Sequence, residues 1–150
     1  MIMNRRQFTC AIACLPGLAS PAHAESACIF STAGIAINGI DPVSYFSEHR
    51  PIDGSDQYRL RWRNVIWRFA SFETMDAFER DPYYFAPRYG GFCSVSMASG
   101  TVSDTVPKAW SVRDGRLYLA ETEPAMMAWK QEPAAYIDRA DHYWPSALCG

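Results

Sequence analysis

At 150 residues, with 49% hydrophobic and 20% charged side chains and a formal net charge of −2, the chain suits one folded domain with a real core. That balance excludes wholesale disorder. Mild acidity without a basic run argues against nucleic acid and anionic membrane surfaces as partners, and no apolar stretch reaches the length of about eighteen residues that a membrane span needs.

The first 24 residues read as a cleaved export signal. Arg5-Arg6 precede a modest apolar run from Phe8 to Leu18, and Ala22-His23-Ala24 supplies an A-x-A cleavage pattern. Paired arginines followed by x-Phe are similar to the twin-arginine signal, with Thr9 and Cys10 where Leu and Lys often stand. Export predicts a periplasmic or secreted protein. Cleavage removes Arg5 and Arg6, leaving twelve basic residues against sixteen acidic ones. It also removes Cys10 and Cys14, so Cys28, Cys93 and Cys149 remain. In an oxidising compartment three cysteines suggest one pair and one leftover thiol. Cys28 and Cys149 stand at the two ends of the mature chain, where a bridge would contribute roughly 4–5 kcal/mol in the loop-entropy model. The alternative is that both lie in frayed tails and neither pairs.

Residues 25–33 read as a tail, 34–145 as one domain and 146–150 as a second tail. Gly34 to Ile37 is a short apolar strand ending at Asn38-Gly39, a turn dipeptide. Asp41-Pro42 is a cap and first-turn proline for a short helix through Phe46. In Gln57 to Trp62, Tyr58, Leu60 and Trp62 point one way. Arg63-Asn64 makes the turn, and Val65, Trp67 and Phe69 continue the apolar face on the return strand. Ser71 caps a helix to Arg80 with Phe72, Met75 and Phe78 on one face, and Asp81-Pro82 starts another that Pro87 ends. Trp110 to Val112 and Arg116 to Leu119 flank Asp114-Gly115, a second hairpin signal. Two helices follow, about 122–131 and 133–144, divided by Pro133. The predicted class is α+β, with a small antiparallel sheet of hairpins packed against several short helices.

Six ordered blocks carry a resemblance. G-I-A-I-N-G-I-D-P-V-S-Y-F (34–46), W-R-F-A-S (67–71), D-P-Y-Y-F-A-P-R-Y-G-G-F-C (81–93), P-K-A-W (107–110), D-G-R-L-Y-L (114–119) and I-D-R-A-D-H-Y-W-P (137–145) are similar to exported proteins with a YHS domain. The smaller YHS modules bind metal through three cysteines. Here Ser44, Ala70 and Thr74 stand at those positions, so that site does not carry over. Some members of the close subfamily are selenoproteins, with selenocysteine at the position of Cys93, which implies redox or soft-metal chemistry there.

Cys93 stands just after Gly90 and Gly91, which permit backbone angles or close approach that a Cβ forbids and are the candidate cofactor-binding positions. A helix running from near Gly91 to Gly100 would hold Cys93 in its first turn, where unpaired N–H groups favour a thiolate. Met97, four residues on, would share its face, and a thiolate with a thioether suits copper as Cu(I). The competing reading is a buried structural cysteine, with Met97 as core filling. His49 and His142 read as surface residues, Asp41 and Asp114 as turn and cap residues, and Trp67, Trp110 and Trp144 as core anchors. Aromatic side chains around the Gly-Gly turn could instead line a pocket.

Three functions follow. The chain is a soft-metal module binding copper through Cys93 and Met97 and meeting a metal donor, a single-thiol redox protein in which Cys93 is catalytic and meets a thiol partner, or a non-catalytic structural or interaction domain.

Overall fold

The computed structural model describes residues 28–144. The predicted export signal, the C-terminal tail and Cys149 lie outside them. The strands are β1 (Ser31–Thr32), β2 (Ile35–Ala36), β3 (Ser55–Trp62), β4 (Val65–Phe69), β5 (Trp110–Arg113) and β6 (Arg116–Leu119). The helices are α1 (Ser44–Ser47), α2 (Phe72–Arg80), α3 (Pro82–Phe85), α4 (Ser94–Met97), α5 (Glu123–Gln131) and α6 (Pro133–Tyr143), with tight 3-10 turns at Ile37–Gly39 and Arg88–Gly91.

The α+β class agrees with the sequence reading, but the sheet does not. There are two sheets: four strands in the order β1-β2-β4-β3, and the separate pair β5-β6. In the larger one β2 runs parallel to β4, with Ile35 opposite Ile66, so this sheet is mixed. The chain leaves β2 through α1 and β3 before returning, and that crossover allows a parallel neighbour. Both predicted hairpins form. Arg63 and Asn64 (φ 50° and 62°), and likewise Asp114 and Gly115 (φ 50° and 69°), take the left-handed conformation that a two-residue turn requires.

Helix α2 begins with a reciprocal cap. Ser71 Oγ accepts from Thr74 N–H and Thr74 Oγ1 accepts from Ser71 N–H, both at 3.3 Å. Its inner face is narrower than the spacing suggested. Phe78 is fully buried, while Phe72 is 58% exposed. At about 100° per residue, six positions turn Phe72 roughly 120° away from Phe78. Phe78 packs on Trp67 and Phe69, with ring centroids 5.0 and 5.2 Å apart.

Two buried clusters result, and β6 joins them. Leu117 and Leu119 enter the cluster around the larger sheet, and Tyr118 and Ala120 enter one formed with α4, α5 and α6. The period-2 alternation of a strand buried on both faces divides its side chains between the two cores.

Asp41 organises the first core. It is fully buried. Its Oδ1 accepts from Val43 N–H and its Oδ2 from Ala70 N–H, each at 2.9 Å. Its carbonyl accepts from Ser44 Oγ–H at 2.7 Å, and its N–H donates to Ile52. The sequence reading had it as a turn and cap residue, but the cap of α1 is Val43; the Asp41 carboxylate instead accepts from the Val43 N–H and reaches across to the end of β4. Asp41→Ala therefore leaves two N–H groups without acceptors and should lower stability by about 3 kcal/mol or more, while Asp41→Asn, which keeps one acceptor, should cost roughly half as much. Urea denaturation of the three proteins checks this.

Candidate functional site

The Gly-Gly segment is a left-handed turn. Tyr89, Gly90 and Gly91 all have positive φ, at 55°, 63° and 88°. Both glycines make room for the chain itself. A Cβ on Gly90 would collide with the Cys28 carbonyl oxygen, and one on Gly91 would lie 2.6 Å from Ile37 Cγ2. Phe30 N–H donates to Gly90 O at 2.9 Å, so the turn is sewn to the N-terminal segment. Close approach of the Ile37 side chain, rather than of a cofactor, accounts for Gly91, and close approach of the Cys28 backbone accounts for Gly90, which also borders a cleft described below. Cys28 is disulfide-bonded, and Cys149, its predicted partner, lies outside the described residues.

Cys93 caps α4 rather than sitting within its first turn, and the helix is only four residues long, not the longer one expected. Its Sγ accepts from Ser96 N–H at 3.5 Å, and its own N–H donates to Ser103 O at 3.0 Å. The residue is 0% exposed. It belongs to a buried cluster that also holds Tyr89, Met97, Ala109, Tyr118, Met126 and Trp129, none of them charged. Met97 shares the cluster, as its four-residue spacing predicted, and is likewise buried. Sequence reasoning therefore placed the thiol beside amide donors but did not foresee that the second core would seal it from solvent.

His49 and His142 are exposed, as expected. Among the described residues no group of three or more His, Cys, Asp or Glu side chains is placed to hold a metal ion. Among the described residues, the other soft donors in the cluster that holds Cys93 are the thioethers of Met97 and Met126. The Ser44 and Thr74 hydroxyls are committed to backbone hydrogen bonds.

A second feature opens on the surface beside the same turn. A cleft of about 470 Å³ is bordered by Trp62 and Arg63 from the first hairpin, Tyr83 from α3, Arg88 to Gly90, Arg116 from β6, and Asp141 and Trp144 from the end of α6. Trp62 and Tyr83 meet edge to face at 5.4 Å, and Tyr89 and Trp144 do the same at 6.0 Å. Arg63 lies 5.0 Å above the Trp62 ring and 5.4 Å from that of Tyr83. Arg116 donates to the Tyr83 carbonyl at 3.1 Å. Asp141 accepts from Arg88 at 3.1 Å and from the Tyr89 hydroxyl at 2.9 Å, both on Oδ1. Trp144, expected as a core anchor, packs half-buried against the second core and also borders this opening, as the alternative of a pocket beside the Gly-Gly turn allowed.

No family model, curated protein or solved structure gave a significant match to this chain.

The arginines of this cleft escaped the sequence reading. Trp62-Arg63 and Arg88-Tyr89 do place arginine beside an aromatic residue, but residues 63, 88, 116 and 141 converge only through the tertiary fold.

Three buried tyrosines surround this region and the first core. Burial raises the pKa of Tyr45, and burial followed by the Asp141 hydrogen bond and charge raises that of Tyr89; burial also raises that of Tyr118. Above pH about 10 the unfolded chain ionises these phenols while the folded one holds them protonated, so the folded state binds more protons and stability falls as pH rises. The urea midpoint should therefore drop steeply above that pH, and Tyr89→Phe should make the drop shallower.

Proposed function

We propose that this chain is an exported, non-catalytic binding domain of the YHS-like kind that its six sequence blocks resemble, with Cys93 as a core residue and the arginine-lined cleft as its binding surface. One observation carries this reading: Cys93 is 0% exposed within an uncharged cluster. A redox thiol must meet another sulfur, and thiol exchange depends on access as well as ionisation. A buried cysteine otherwise behaves as a small hydrophobic side chain. The disulfide at Cys28 supports export, because such bonds persist in oxidising compartments.

A second reading keeps the soft metal. Cys93, Met97 and Met126 lie in one buried cluster, and a thiol with two thioethers is a donor set suited to Cu(I). It requires the ion to enter as the second core forms.

Thiol labelling with peptide mapping at Cys93 separates these readings. Under the binding-domain reading the native protein leaves Cys93 unmodified by Ellman's reagent, denatured protein reacts fully, and Cys93→Ala loses about 1–3 kcal/mol of stability without changing metal content. Rapid native labelling would return the redox reading. Stoichiometric Cu(I) uptake that Cys93→Ala abolishes would establish the metal reading instead.

A further inference from the structure

We infer that the cleft beside the Gly-Gly turn binds a small organic anion, a flat aromatic ring carrying a carboxylate. This deepens the binding-domain reading and rests on it. Among the described residues, three arginines, Arg63, Arg88 and Arg116, border the cleft against one acidic residue, Asp141. That carboxylate already accepts from both Arg88 and Tyr89 on Oδ1. The cleft thus carries a positive excess on a chain that is acidic as a whole. Such a local field attracts a small anion, while the surrounding acidity disfavours a long polyanion.

The arginines are held in place by the protein. Arg63 is stacked on Trp62 and Tyr83, and Arg116 is tied to the Tyr83 carbonyl. A guanidinium has five N–H donors, so one bond to a carbonyl leaves Arg116 able to present a planar fork. Positioning the cations beforehand lowers the ordering cost of binding. Arg88 Nε is buried and has no hydrogen-bond partner among the described residues, a donor still to be satisfied.

The aromatic borders select the body of the ligand. Trp62, Tyr83 and Trp144 offer ring faces and edges that favour a flat apolar group over a compact hydrated ion. A volume of about 470 Å³ falls within the range of small-molecule sites. A bicyclic aromatic acid would use both features at once, its carboxylate on the arginine fork and its rings against the aromatic border.

Isothermal titration calorimetry on the purified protein tests this with naphthoate, its neutral analogue naphthalenemethanol, and inorganic phosphate. Naphthoate should bind at one site, with the alcohol and phosphate weaker by about tenfold or more. Arg116→Gln should weaken naphthoate by about tenfold, and Arg116→Lys by less, because it keeps charge but loses the fork. Thermal melts establish that each variant is folded, and Arg63→Gln replaces Arg116→Gln should the latter fail to fold. The inference is overturned if naphthoate gives no saturable heat, if the alcohol or phosphate binds as well, or if a folded arginine variant binds as wild type does. Absence of naphthoate binding while Cys93 stays inert to thiol reagents sinks the ligand class alone. Fast modification of native Cys93 that also abolishes naphthoate binding sinks the binding-domain reading with it.

Discussion

A single buried carboxylate ties together segments of this fold that are distant in sequence. Asp41 has no contact with water, yet both its oxygens accept backbone N–H groups, one two residues on and one 29 residues on. An acidic side chain is tolerated in such a place only when its hydrogen-bonding capacity is used. The bond to Ala70 holds the start of α1 against the end of β4, and the bond from its own N–H to Ile52 draws in the loop before β3. Ser71, the next residue, caps α2, so the same junction sets where that helix begins. A network of hydrogen bonds joins these segments here.

From that junction the chain builds outward to a second core, and the consequences for Cys93 follow from how the two cores meet. Strand β6 sends alternate side chains to each, and α5 and α6 close over the second. The thiol lies beneath this cover. A local amide donor, Ser96 N–H, is present as a helix start would supply, but the thiol is buried in a cluster whose members Tyr118, Met126 and Trp129 come from later in the chain. The same closure brings Asp141 and Trp144 to the edge of the Gly-Gly turn and forms one side of the cleft. Sealing the sulfur and building the cleft are two results of one packing arrangement.

The cleft places polar chemistry where the fold leaves a surface depression. Arg63 stands at a hairpin tip, Arg88 opens the left-handed turn and Arg116 begins β6, so each guanidinium is anchored by regular or tightly turned backbone. Their mutual repulsion is offset by aromatic faces, by a backbone carbonyl and by Asp141. Such an arrangement favours binding and orienting a charged group. Asp141 is engaged by Arg88 and by Tyr89, whose burial and contact with that carboxylate keep the phenol protonated.

Much of the architecture was legible from local patterns. Alternating side chains in 57–69, the Asp114-Gly115 dipeptide, the Ser71 cap and Pro133 between two helices are signals carried by a few adjacent residues, and each element forms where its signal stands. The mixed sheet and the burial of Cys93 were not legible in this way, because each depends on which distant segment packs alongside. Spacing placed Met97 beside Cys93, since helical geometry is local, but could not say whether solvent reached either. Residues 63, 88, 116 and 141 carry no common motif and meet only because the turn at 88–91 is held against the N-terminal segment while α6 folds across it. Short-range sterics and hydrogen bonding thus determined the elements from sequence alone, whereas burial and the assembly of the cleft were decided by long-range packing.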